Sequence, residues 1–248
     1  MTSLGKRLIK AALARRGYEI RPVAPPPPRS TERAAFQAEA RAIVRRHRAQ
    51  TLDTVTALRR KYERPVLGRV ETWSLLERLA ACVDPTDESL FGVSQQFHVL
   101  QVLGAMEADG VTDPDLLAAA LIHDVGKVLL LTGEAPENVV CLNEPIGEYA
   151  PGVGLDHCVF QWNHDEFGYS RLRDQVSDVV AWIVRYHSLE PDQCAPLMNA
   201  RDRDLADRYL RPFRRYDQGS KTPFQLPRKR LDDYRDLATA LLPRTLVV

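Results

Sequence analysis

Apolar residues along this chain recur at spacings of three and four, and strict alternation is nearly absent. Residues 31–63, rich in Ala, Arg, Glu and Leu, predict one long helix with room for an interruption. A second apolar stripe runs over 71–82. Ser94 is placed to cap a helix carrying Phe97, Leu100, Val102, Leu103 and Met106. Asp113-Pro114 combines an N-cap acceptor with proline at the first helical position, and that helix runs through Leu116, Leu117, Ala120, Leu121 and His123 toward Gly126. Residues 133–161 hold several Gly and Pro with weak periodicity and read as a long loop. Helical periodicity returns at 171–187, 200–213 and 229–241. The expectation is one all-α domain over residues 30–248.

The first 29 residues stand apart. Lys6, Arg7, Lys10, Arg15, Arg16 and Arg21 interleave with Leu4, Leu8, Ile9, Ala12 and Leu13, and Pro25–Pro28 then ends any helix. This is read as a basic, Pro-rich extension outside the main domain. A solvated tail is the plain reading, and contact of residues 1–24 with an anionic membrane surface or a protein is its rival. Across all 248 residues, 34 Lys+Arg stand against 33 Asp+Glu, a net charge of +1 that argues against a nucleic-acid binder. No apolar run reaches the roughly 18 residues of a spanning helix. Four cysteines without a Cys-x-x-Cys pair signal neither a disulfide framework nor a zinc-thiolate site. A cytoplasmic monomer is expected.

Six histidines carry the candidate chemistry. Val176, Val180, Ile183 and His187 recur at helical spacing, so His187 projects from a buried stripe. His123 shares a face with Leu116, Ala119 and Ala120, and His98 lies among Phe97, Val102 and Ala105. Asp124 adjoins His123, with Asp165 and Asp217 as further acids. A lone inward histidine is ordinarily satisfied by a carbonyl or hydroxyl. Several, with acids beside them, must be paired or metal-bound to offset desolvation. Imidazole plus carboxylate suits iron, zinc or manganese rather than calcium. His47, flanked by Arg45, Arg46 and Arg48, is expected to face solvent, and His157 to be a non-ligand. Trp73, Trp162 and Trp182 read as packing residues.

The His98…His123-Asp124…Asp217 arrangement resembles the metal-binding pattern of the HD-domain superfamily. More specific are Phe97-His98, Leu121-Ile122-His123-Asp124-Val125-Gly126-Lys127, Trp162-Asn163-His164-Asp165-Glu166, Tyr186-His187-Ser188 and Tyr216-Asp217…Ser220-Lys221. In that order they resemble the myo-inositol oxygenase family, over roughly residues 40–225. The resemblance implies an HD-domain-like helical bundle and a non-haem di-iron oxygenase. One iron would take His98, His123, Asp124 and Asp217; the other would take Asp124 as bridge, His164 and His187. Asp124 and Lys127 would be catalytic, and Lys127, Lys221, Ser188, Asp84 and Asp87 would bind substrate. The cofactors implied are two irons in a mixed-valent Fe(II)/Fe(III) pair with O2 as co-substrate. The implied substrate is a small polyol, with myo-inositol opened to glucuronate. A metal acidifies a coordinated hydroxyl, and a nearby ammonium stabilises the resulting anion.

Departures from the family fall in the substrate shell. Cys141-Leu142 stands where the family carries Gly-Asp, Ile43 where it carries a lid tyrosine, and Arg29 is the counterpart of its substrate arginine. The stretch from Pro145 to Trp162 is shorter, and Ser94–Gln101 resembles di-iron oxygenases that cleave hydroxyphosphonates. Cys141 is read as a small packing residue in that shell. The competing reading is an HD-domain phosphohydrolase acting on a phosphate ester or nucleotide, with Arg185, Arg214 and Arg215 as its phosphate clamps. A non-catalytic binding protein on the same fold is the third.

Overall fold

The computed structural model describes residues 30–140 and 142–248. The expected extension over 1–29, Arg29 included, and Cys141 lie outside them. The N-terminal helical pattern resolves into two helices, α1 (Ser30–Arg48) and α2 (Leu52–Lys61). Thr51 forms the break: its extended backbone starts α2, and its hydroxyl accepts from the Thr54 amide at 3.3 Å. Gln50 turns inward there, accepting from the Trp162 amide at 2.7 Å and donating to the Trp162 carbonyl at 3.0 Å.

Strand β1 (Arg69–Glu71) leads into α3 (Thr72–Arg78). It pairs antiparallel with β2 (Thr245–Val247), with Val70 opposite Leu246, and so ties the last residues to the start of the bundle. Helix α4 (Gln95–Ala108) is capped by Ser94, and α5 (Pro114–Ile122) by Asp113. The periodicity over 171–187 is split. Helix α6 (His164–Leu172) begins between the expected loop over 133–161 and the expected start at 171, because the Asn163 side chain accepts from the Asp165 and Glu166 amides at 3.0 and 3.1 Å. Its buried face includes His164, Asp165 and Glu166, so an apolar pattern does not reveal it. Helix α7 (Asp178–Tyr186) then starts at its own cap, Ser177.

Helix α8 (Ala200–Leu205), a π turn (Ala206–Leu210) and α9 (Arg211–Ser220) run on as one rod. Pro212 lacks an N–H and would crowd the carbonyl of Arg208, and a widened turn relieves that clash. The rod therefore passes the expected end at 213 and carries Asp217. A 3-10 turn (Leu231–Tyr234) and α10 (Arg235–Leu241) complete the helices.

Helix α4 packs on α5 and α9, α5 on α7, and α7 on α6. Val99, Val102, Leu103, Ala119, Leu121, Ile122, Ile183 and Val184 are buried where they meet. A smaller core of Phe160, Trp182, Tyr186, Leu189 and Leu210 supports the other side of α7. Trp162 and Trp182 are buried packing residues, and Trp73 lies under the Arg235 guanidinium. One expectation fails: His47 is fully buried. Its ring lies 2.8 Å from both the Glu137 and Leu142 carbonyls, because α1 packs against the 3-10 turn Pro136–Asn138 rather than facing water there. His157 is exposed. Cys82, Cys158 and Cys194 are unpaired and buried.

Candidate metal centre

Four elements bring the predicted histidines together. His98 comes from the first turn of α4, His123 from the C-terminal end of α5, His164 from the first residue of α6 and His187 from the end of α7. Asp124 opens the 3-10 run Val125–Thr132, and Asp217 lies on α9. All six are buried. They form two groups able to hold an ion, His98/His123/Asp124 and Asp124/His164/His187, with Asp124 common to both. Asp217 joins the first, its Oδ1 2.7 Å from His98 Nε2 and 3.8 Å from His123 Nε2.

Gly126 makes this convergence possible. A Cβ there would lie 2.1 Å from the carbonyl oxygen of His164, so only glycine lets the Asp124 turn approach the start of α6.

The ring hydrogen bonds fix which nitrogen faces the centre. Nδ1 of His123, His164 and His187 lies 3.2, 2.9 and 2.9 Å from the Ala120, Val139 and Val184 carbonyls. Each must donate there, which leaves the Nε2 lone pair free. His164 Nε2 and His187 Nε2 then meet at 3.2 Å. Two nitrogens at that separation need a proton or a metal ion between them. His123 Nε2 and Asp124 Oδ2 are buried with no hydrogen-bond partner. Among the described residues, five buried or nearly buried carboxylates, Asp84, Asp87, Asp124, Asp165 and Asp217, face two ammoniums, Lys127 and Lys221. Orphaned ligand atoms and surplus negative charge fit a metal, and the nitrogen–oxygen donor set fits iron.

Titration directions report the surplus of carboxylate charge around the rings. Burial holds the His123 imidazole neutral, down at about 3, against the opposing pull of Asp124. For His164, burial opposes the charge but Asp165 outweighs it, lifting the ring to about 9. Asp124 and Asp217 are held far below the usual carboxylate range: burial works the other way, and Lys127 and Lys221 respectively overcome it.

A cavity of about 360 Å³ opens beside the second group, lined by His164, Lys127, Lys221, Asp84, Asp87 and Ser188, so every predicted substrate residue borders it. Lys127 contacts Gln95 Oε1, Asp84 Oδ2 and Asp124 Oδ1 at 3.0, 3.1 and 3.2 Å, which occupies all three of its N–H groups. Lys221 lies 3.0 Å from Asp87 Oδ2 and 4.0 Å from Asp217 Oδ1, leaving donors for the cavity. The Ser188 hydroxyl donates to Asp165 Oδ1 at 3.1 Å. Leu142 and Val44 also border the cavity, whereas Ile43 is buried in the core.

Of the arginines expected as phosphate clamps, Arg185 is buried and paired with Glu166 and Asp156, and Arg215 pairs with Asp109 at the surface. Arg214 borders the cavity but is spent on the His187 carbonyl and Glu190. Asp165, noted from sequence only as a nearby acid, has Oδ1 3.0 Å from His164 Nε2 and 3.5 Å from His187 Nε2. Asn143 holds its other oxygen at 3.3 Å. The His164-Asp165 neighbourhood was the available signal for Asp165; nothing local marks Gln95 or Asn143.

A helical bundle that gathers histidines from four helices, with Asp124 and Asp217 beside them, into two groups able to hold an ion defines a class of protein. A family model described as myo-inositol oxygenase matches residues 38–141 and 134–247. The chain belongs to the myo-inositol oxygenase family, and it is an oxidoreductase of that family. A "Probable inositol oxygenase" of Oryza sativa subsp. japonica is 29% identical over 227 residues, covering 76% of this chain and 73% of the relative. "Inositol oxygenase 2" of Arabidopsis thaliana is 31% identical over 215 residues, 71% of this chain and 67% of the relative. "Inositol oxygenase" of Rattus norvegicus is 24% identical over 219 residues, 71% and 74% respectively.

Proposed function

We propose that the chain is a non-haem di-iron oxygenase that cleaves a small polyol with O2, opening myo-inositol to glucuronate or acting on a related cyclitol or sugar-like diol. The observation that carries this reading is the pair of ligand groups sharing Asp124 beside a polar cavity of about 360 Å³. His98, His123, Asp124 and Asp217 would hold one ion, and Asp124, His164 and His187 the other. Bound there, a mixed-valent iron pair supplies Lewis acidity toward a diol hydroxyl and the redox capacity to reduce O2. Four electrons leave the diol; one oxygen atom enters the new carboxylate and the other leaves as water.

The chain's own residues prepare that chemistry. The carbonyls of Ala120, Val139 and Val184 hold three imidazoles in one tautomer, so each ligand nitrogen is ready before loading. Lys221 donates to a substrate oxygen and stabilises the negative charge that grows there. Lys127 offsets the charge of Asp84 and Asp124. It reaches a substrate oxygen by releasing Gln95, the one neutral acceptor of its three. Ser188, held by Asp165, presents hydroxyl lone pairs to a polyol proton. The test is oxygen uptake by iron-loaded protein against myo-inositol, other cyclitols, sugars and hydroxyphosphonates, with phosphate esters as the hydrolase control. Uptake with a polyol and no phosphate release is expected; phosphate release without oxygen uptake overturns the reading.

A further inference from the structure

Asp165, the second residue of α6, is fully buried. Of the five carboxylates around the centre, it alone has no lysine or arginine partner among the described residues. Lys127 faces Asp84 and Asp124, and Lys221 faces Asp87 and Asp217. Asp165 faces two imidazoles instead: its Oδ1 lies 3.0 Å from His164 Nε2 and 3.5 Å from His187 Nε2. Its other partners are neutral donors, the Ser188 hydroxyl and backbone amide at 3.1 and 3.3 Å and the Asn143 side-chain amide at 3.3 Å. A carboxylate taken this far from water needs a positive charge or a metal beside it.

Without an ion, a proton shared among these atoms supplies that charge. An ion held by both Nε2 atoms releases the proton to solvent, because a coordinated nitrogen has no hydrogen left to donate. Asp165 would then stand among neutral donors, with no cation but the ion against it among the described residues. The spacing suits direct contact with that ion. His164 Nε2, His187 Nε2 and Asp165 Oδ1 are separated by 3.0, 3.2 and 3.5 Å. Ligand atoms about 2.1 Å from a tetrahedral ion lie roughly 3.4 Å from one another, so this triangle has the size of one face of a coordination shell. Asp124 Oδ1, at 3.2 and 3.7 Å from the same two nitrogens, is related to them in the same way. We infer that Asp165 is a further ligand of the second ion, a fourth protein group beside Asp124, His164 and His187. This role rests on the proposed metal centre and extends its donor set to three carboxylates. The Ser188 hydroxyl donates to the same Oδ1 and borders the first cavity, so loading the ion also fixes a group that faces substrate.

The direct test is a crystal structure of the full-length, iron-loaded chain without substrate, grown under argon. An Asp165 oxygen is expected at about 2.0–2.2 Å from the second iron, and a separation beyond roughly 3 Å overturns the assignment. Solution measurements reach the same point. Asp165→Asn keeps the side chain's size and an oxygen for Ser188 but removes the charge, whereas Ser188→Ala removes the hydroxyl and keeps the carboxylate. With Fe(II) loaded against a competing chelator, Asp165→Asn weakens one of the two irons by about a hundredfold and changes the Mössbauer signal of that iron alone. Ser188→Ala leaves both affinities and both signals as in the parent chain. Parent-like affinity and signal in a folded Asp165→Asn chain overturn the assignment. Oxygen uptake with a polyol by a chain whose Asp165 stays off the iron removes this ligand and leaves the oxygenase reading standing. A chain that binds two irons, one through Asp165, yet consumes no oxygen with any polyol sinks that reading and keeps the ligand.

Discussion

The contact of His164 Nε2 with His187 Nε2 at 3.2 Å, both rings tied to carbonyls through Nδ1, holds only with a proton or a metal ion between the two nitrogens. That local conflict is what a binding site for a cation looks like when its ligands are already oriented. Asp124 lies within reach of both groups, so the two ions should depend on it unequally with the other ligands. Asp124→Ala is expected to lose both iron equivalents, and His187→Ala only one, as read by metal analysis after desalting. Equal loss in both variants would argue against two separate sites. On the substrate side, Lys221 has donors to spare and Lys127 has none without an exchange. Lys221→Ala should therefore keep the iron and weaken anaerobic polyol binding by roughly 10- to 100-fold, the scale of one charged hydrogen bond. Isothermal titration against myo-inositol reads it directly.

At the scale of elements, the site depends on how closely three segments approach rather than on any one helix. The Asp124 turn sits against the first residue of α6 with no room for a methyl at Gly126, and a Cβ at Gly168 of α6 would lie 3.1 Å from Val184 Cγ1 of α7. Gly126→Ala should cost about 1–3 kcal/mol of stability through overpacking, seen as a lower melting temperature, and should reduce iron loading because His164 moves with α6. This explains why parts of the bundle were legible in the sequence and others were not. Helices α4 and α5 announce themselves through Ser94 and Asp113-Pro114 caps over apolar stripes. Helix α6 does not, since His164, Asp165 and Glu166 occupy positions that elsewhere hold leucine. The end of α9 was hidden by Pro212, whose missing N–H is absorbed in a π turn instead of stopping the rod. The residues of the two candidate groups were readable because their motifs are local. His47 was misread because arginine neighbours on α1 say nothing about the carbonyls of Glu137 and Leu142, which reach it from ninety residues away.

Across the whole molecule, the helices that build the core also position the candidate ligands, so folding and the proposed metal binding draw on the same contacts. Charged groups outside the centre brace that frame. Glu134 accepts from Lys61 and Tyr62, with Asn138 Nδ2 at 2.9 Å, joining α2 to the segment that follows the 3-10 run. Burial opposes its charge, but the Lys61 and Tyr62 hydrogen bonds prevail and bring it to about 2, from an ordinary 4.5. Its folded value is the lower one, so its contribution is full above about 4.5 and is lost as the pH falls toward about 2. Glu134→Gln should thus lower stability at neutral pH and converge with the parent chain near pH 2, as denaturant melts at the two pH values would report. No helix among the described residues is long and apolar enough to cross a membrane. The claim on which the functional account turns is that this fold holds two coupled irons. Protein loaded anaerobically with Fe(II) and then partly oxidised should contain about two irons per chain, one for each ligand group, and give the electron paramagnetic resonance signal of a coupled mixed-valent pair. A single iron per chain, or a site that retains only zinc, would contradict it.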